Sequence, residues 1–211
     1  DWLLENNDFL HIDNGRIGLK YYYDIEMQIY HLILNKSKIE TTINISDEAI
    51  DKAIKHAEEE QGFDYVVEQL DTIHKSLHRT VSLITGKAGT GKTSIMRAIV
   101  KAYMENNYMM TASALSAMAA QRITEATEFP AMTIHRTLGC QGLNDFTYNK
   151  DNHLITDVAF LDEGSMVNAS LFLHWLEAIG DNTRIIISGD HKQLPPIGFG
   201  NVFSDLIEMF D

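Results

Sequence analysis

The segment Gly86-Lys87-Ala88-Gly89-Thr90-Gly91-Lys92-Thr93 carries the strongest chemical signal in this chain. It fits the spacing GxxxxGK[ST], which places a glycine-rich loop ahead of a lysine and a hydroxyl side chain. The glycines let backbone N–H groups turn inward as an anion nest, and a helix starting there adds positive potential at its N-terminus. Lys92 is then positioned to reach β- and γ-phosphates, and the Thr93 hydroxyl to hold Mg²⁺. A second signal follows at Val158-Ala159-Phe160-Leu161-Asp162-Glu163, an apolar run ending in two carboxylates. The first acid, Asp162, can bind Mg²⁺ through its water shell, and the second, Glu163, can polarise an attacking water. Binding alone would not need Glu163. A third signal is Gln193, in the Pro-flanked turn Gly189-Asp190-His191-Lys192-Gln193-Leu194-Pro195-Pro196. A glutamine just past a strand end can hydrogen-bond a γ-phosphate and sense its loss, although turn chemistry alone explains Gly-Asp and Pro-Pro.

Other reactive residue types read as structural. His74 and His78 stand four apart on an expected helix, a metal-compatible spacing, but no third ligand is evident in the sequence and surface histidines are the expectation. Tyr21-Tyr22-Tyr23 could stack bases, yet aromatics opening an amphipathic helix read as core or domain-packing residues. Cys140 has His135 nearby but no orienting acid, so it reads as structural. Met96, Met104, Met109 and Met110 fit core filling.

The elements that must position this chemistry alternate from Thr80 onward. Strands are expected at 81–84, 109–112, 158–161 and 184–188, and helices at 93–105, 116–127 and 169–179. Strands alternating with helices imply a parallel sheet covered on both faces, the α/β class. Ahead of it, Asn14-Gly15 between short apolar runs signals a hairpin. Apolar residues at Tyr22, Ile25, Ile29, Leu32 and Ile33 then follow a helical period. The polar stretch from Asn35 to about 48 reads as a linker, followed by helices over about 47–60 and 64–78.

Composition narrows the class. The chain has 211 residues, 45% of them apolar and 22% charged, which is ordinary globular usage. No apolar run approaches the ~18 residues of a membrane span, and the first residues show no basic-then-apolar pattern of the signal-peptide kind. One cysteine fits a reducing compartment, and a cytoplasmic location without membrane association is the expectation. The net charge is −13, of which −8 lies before Thr80, with no basic stripe of the kind that marks a non-specific nucleic-acid binder.

Taken together, these motifs resemble the superfamily-one DNA helicases, and within them the RecD-like branch, over about residues 65–210. By that resemblance the fold is a RecA-like P-loop NTPase sheet flanked by helices, preceded by a small α/β hairpin-and-helix segment. Residues 1–60 would be that front segment with its linker, and 61–211 the first RecA-like ATPase domain. Glu68-Gln69 precedes the phosphate loop at the family's spacing, which implies that Gln69 reads adenine. Ala114–Arg122 is similar to motif Ia, and Thr133-Ile134-His135-Arg136 to the next DNA-contacting segment, implying DNA contacts at Ser116, Thr133 and His135. Asp162-Glu163-Gly164-Ser165-Met166 resembles motif II, and the Gln193 turn motif III, where Gln193 would couple the γ-phosphate to DNA.

The implied cofactors are ATP and Mg²⁺, and the implied activity is ATP-driven 5′-to-3′ translocation on single-stranded DNA. Lys92, Glu163 and Gln193 would be the catalytic set. Gln69, Gly86, Ala88, Gly89, Thr90, Gly91, Lys92 and Thr93 would bind nucleotide, and Thr93 and Asp162 the metal. Met118 stands where the family usually has lysine. The chain starts at Asp1 and stops soon after motif III, so the expectation is a piece of a longer protein whose second RecA-like domain supplies arginines. This chain alone is then expected to bind ATP–Mg²⁺, turn it over slowly and leave duplex unwound. Alternative readings are another P-loop ATPase, or a regulatory module docking partners through the acidic front segment.

Overall fold

A computed structural model describes residues 10–13, 16–87, 89–142, 145–193 and 195–210. Five parallel strands form the central sheet: β3 (Val81–Thr85), β4 (Met110–Ala114), β5 (Ala131–Thr133), β8 (Val158–Asp162) and β9 (Arg184–Gly189), in the order β3-β9-β8-β4-β5. The central strands are buried on both faces, so Val158–Leu161 and Ile185–Ile187 read as continuous apolar runs rather than alternating ones. Alternation reappears in what each face touches. Val158, Phe160 and Ile186 join one core, while Ala159, Leu161, Ile185 and Ile187 join the other.

On the first face, helix α4 (Lys92–Glu105) lies against the sheet through Met96, Ile99 and Tyr103. Helices α2 (Asp47–Gln61) and α3 (Val67–His78) extend that core with Ile50, Ile54, Ile73 and Leu77. Ser46 caps α2, its hydroxyl accepting from the Ala49 N–H at 3.3 Å, and Gly62 ends it at φ 79°, where only glycine is unstrained. On the second face lie helix α7 (Ala169–Glu177), helix α8 (Val202–Phe210) and helix α1 (Lys20–Lys38), which contributes Ile25, Ile29 and Ile33. Helix α5 (Ala117–Thr127) follows β4, and the short helix α6 (Ile134–Thr137) follows β5. Two small antiparallel pairs complete the described residues: β1 (Leu10–Asp13) with β2 (Arg16–Leu19), and β6 (Cys140–Gly142) with β7 (Asp145–Phe146). The Asn14-Gly15 turn of the expected hairpin lies outside the described residues. No described helix is long and apolar enough to cross a membrane.

Several sequence expectations are corrected. The linker does not begin at Asn35: α1 runs on to Lys38, because Lys36 turns inward and its Nζ donates to the Gly180 carbonyl at 2.5 Å. Burial lowers the Lys36 pKa to about 8. Helix α3 starts at Val67 rather than 64. Met104 and Met109 are exposed rather than core-filling, at the solvent side of a helix end and ahead of a strand, while Cys140 is exposed with its Sγ donating to the Gly142 carbonyl at 3.2 Å. The tyrosines opening α1 stay partly exposed, with Tyr22 stacked on Phe199 at 4.0 Å.

Arg184, 2% exposed, ties the layers together. Its guanidinium donates to the Ile43 carbonyl at 2.8 Å, to the Leu77 carbonyl, and to the Tyr103 hydroxyl at 3.3 Å. Truncation would leave two buried carbonyls unpaired and open a cavity. Arg184→Ala is therefore expected to lower unfolding free energy by ~3 kcal/mol, read from the midpoint of urea denaturation. A change below ~1 kcal/mol would mean that these carbonyls find other donors.

Candidate nucleotide site

The motif residues gather at the C-terminal ends of the parallel strands, the edge where open α/β sheets bind ligands, with Gln69 reaching it from α3. The phosphate loop leaves β3, and its Gly86 N–H donates to the Gly189 carbonyl at 3.3 Å, extending the pairing with β9. Gly89 and Gly91 have φ of 81° and 87°, values that side chains resist, and Gly91 opens α4. A Cβ at Gly91 would come within 2.2 Å of Gln69 Nε2, so a side chain there would push the Gln69 amide off the loop. Ala88 lies outside the described residues. Lys92 folds back over the loop, its Nζ donating to the Gly86 carbonyl and to the Lys87 carbonyl at 3.0 Å. The Thr90 hydroxyl bonds the Lys87 carbonyl at 2.8 Å. The loop is thus closed by contacts that an anion would exchange for its own oxygens.

Opposite the loop, β8 ends at Asp162, whose carboxylate accepts from the Ser188 hydroxyl on β9. Glu163 adopts a left-handed backbone at φ 55°, a strained state for a residue with a Cβ, and lines the cleft. Burial raises the Glu163 pKa, the neighbouring Asp162 charge raises it further, and the Arg122 guanidinium opposes both. Past β9, Asp190 is buried at 7% exposure and organises its turn. It takes the Lys192 N–H at 3.1 Å and the Gln193 side-chain amide at 3.3 Å, while its own N–H donates to the Ser165 hydroxyl at 3.2 Å.

These groups line one cleft of about 420 Å³. Gly89, Gly91, Lys92 and Thr93 form one wall; Asp162, Glu163, Asp190 and Gln193 form another. Gln69 approaches the loop from α3, its amide donating to the Thr90 carbonyl at 3.4 Å while its oxygen accepts the Val66 N–H at 3.1 Å. The expected DNA residues are not in the cleft but further along the same sheet edge, where Ala114 of β4 pairs with Thr133 of β5. There the Ser116 and Thr133 hydroxyls cap α5 and α6, accepting backbone N–H groups at 3.0 and 3.3 Å. His135 and Met118 are exposed beside them.

Sequence reasoning missed Arg122, Ser165 and Asp190 as cleft residues. Arg122 was findable: Ala119, Arg122 and Ile123 follow i, i+3, i+4 along α5, and that face is the one lining the cleft. Arg122 is the cation that opposes the rise in the Glu163 pKa. Arg122→Ala is therefore expected to move the acidic limb of any Glu163-dependent turnover to higher pH, measured as single-turnover rate against pH. An unmoved limb would show that the guanidinium does not act on Glu163.

The fit of the donor set is specific. Two backbone-permissive glycines, a loop-facing ammonium, an exposed hydroxyl at Thr93 and a carboxylate at Asp162 suit a phosphate chain with a hard cation. The family model described as AAA domain matches residues 69–199, a span containing every one of these groups. The chain belongs to the AAA domain family. Nucleotide binding goes with that membership.

Among curated relatives, this AAA domain is 31% identical over 144 residues to the RecBCD enzyme subunit RecD of Buchnera aphidicola, covering 58% of the chain and 24% of that protein. It is 34% identical over 149 residues to the ATP-dependent RecD2 DNA helicase of Deinococcus radiodurans, covering 71% of the chain and 20% of that protein. The crystal structure of Pif1 helicase from Candida albicans matches with a TM-score of 0.50 at 25% identity, covering 64% of this chain and 34% of that one. The resemblance to RecD-like superfamily-one motor domains therefore stands, and so does the RecA-like sheet. The AAA domain spans about a quarter of the length of the curated relatives it matches.

Proposed function

We propose that this chain is the ATP-binding half of a RecD-like DNA helicase motor, hydrolysing ATP to drive 5′-to-3′ movement on single-stranded DNA. The observation that carries this reading is the placement of Glu163 and Gln193 in one cleft with Lys92 and Thr93. A module that only held nucleotide would need neither of the first two. In this reading the loop amides and Lys92 bind the phosphates, and Gln69 faces the base. Thr93 and Asp162 would hold Mg²⁺, which supplies charge neutralisation at the phosphate oxygens. Glu163, ionised, accepts the proton of an attacking water. Asp190 holds the Gln193 amide at the edge of the cleft, where it would sense the γ-phosphate. Ser116, Thr133 and His135 lie on the edge proposed for single-stranded DNA.

The proposed division places the RecA-like unit at 61–211, since every strand of the main sheet falls there. Within the described part of the front segment, α1 and α2 pack on that unit. A second RecA-like domain is the proposed partner, bringing arginines to the open side of the cleft. Such arginines are worth ~10³–10⁵ in rate in related phosphoryl transfers. Hydrolysis assays on the 211-residue chain, with and without oligothymidine, test this directly. Bound ATP with slow turnover and no strand separation is expected; brisk DNA-stimulated turnover by the chain alone would overturn the two-domain reading.

A further inference from the structure

The pair His74 and His78, set aside on sequence for want of a third ligand, gains one from another helix. Asp47, the first residue of α2, brings its Oδ1 within 2.9 Å of His78 Nε2 and 3.8 Å of His74 Nδ1. The three ligand atoms all lie within 4.8 Å of one another. Donors around a tetrahedral ion with bonds of about 2.0–2.1 Å stand ~3.3 Å apart, so the observed spacings bracket what a metal would impose. The second observation is the far side of the His74 ring. Its Nε2 meets Asp51 Oδ1 at 3.1 Å, one turn along α2 from Asp47. A carboxylate on the outer nitrogen of a ligating histidine fixes the ring's tautomer and orientation, which is the arrangement metal-bound histidines usually have.

We propose that Asp47, His74 and His78 form a site for a divalent transition metal of the zinc class, with Asp51 orienting His74. Two imidazoles and one carboxylate suit Zn²⁺ and its borderline neighbours; Mg²⁺ and Ca²⁺ prefer oxygen donors. The site is thereby chemically distinct from the Thr93–Asp162 pair. All three ligands are at least partly exposed, leaving a fourth position open to water. A bound ion would pin the start of α2 to the end of α3. Helix α3 carries Gln69 on its first turn, where the amide reaches the phosphate loop. The ion would therefore clamp the helix whose Gln69 touches the phosphate loop, independently of any motor activity.

The test is a Zn²⁺ titration of the whole chain against a chromophoric chelator in millimolar Mg²⁺, with unfolding temperatures measured in parallel. One tight equivalent is expected. Affinity should fall at least 10-fold in His78→Gln and in Asp47→Asn, and about 10-fold in Asp51→Asn, as for loss of an outer-shell partner. Zn²⁺ should raise the Tm of the parent chain but not of the His74→Gln/His78→Gln double variant. These residues are on the surface, so the metal-free Tm of each variant reports separately on folding. Absence of a tight equivalent, or one retained at the same affinity in the double variant, would overturn the site and leave Asp47 as an ion-pair partner of the two histidines.

Discussion

Lys92→Ala is expected to weaken ATP binding about 100-fold while leaving the fold intact. The ammonium donates to the Gly86 and Lys87 carbonyls and can exchange them for phosphate oxygens. Losing charge-assisted hydrogen bonds of that kind removes ~3 kcal/mol, which corresponds to roughly two orders of magnitude in affinity. The loop keeps its shape through the Thr90–Lys87 bond at 2.8 Å and the pairing of Gly86 with Gly189, so the Tm should move little. A titration with a fluorescent ATP analogue reads the effect. Affinity unchanged within threefold would mean that nucleotide does not occupy this loop.

Glu163→Gln should do the opposite: binding intact, turnover lost by ~10²–10⁴, the span usual for a positioned general base. The carboxylate's position depends on the left-handed backbone at φ 55°, which the amide can share, so geometry is preserved while basicity is not. The pH dependence has a definite sign. Burial and Asp162 raise the Glu163 pKa above its ordinary 4.5, so the base is protonated and idle at low pH. Turnover rises as pH climbs through that raised value and is lost as pH falls through it. The glutamine variant should show no such limb. Single-turnover hydrolysis across pH separates the cases; a variant that keeps both rate and limb would assign the base elsewhere.

The sequence made the cleft's contiguous parts legible and left its long-range parts hidden. Gly86–Thr93 and Val158–Glu163 are unbroken strings whose spacing is itself the chemistry, and buried parallel strands advertise themselves as apolar runs. Arg122 lies on a helix face whose surroundings are set only when α5 packs against β4, β5 and α4. Asp47 and His78 are 31 residues apart, and no local pattern joins them. Arg184 reads as the polar start of a strand, yet it is buried by carbonyls from residues as distant as Ile43. The end of α1 is hidden for a related reason: Lys36 looks like a solvated linker residue until Gly180 supplies its acceptor. In each case local periodicity set the element, and a partner distant in sequence decided the side chain's role.

The most direct test of the motor reading is amide hydrogen exchange of the chain, alone, with ATP–Mg²⁺, and with oligothymidine. Nucleotide-dependent protection is expected at 86–93, 162–163 and 189–193, with separate, weaker DNA-dependent protection within 114–136. Nucleotide protection that leaves 86–93 unchanged, or no DNA-dependent protection within 114–136, would contradict that reading.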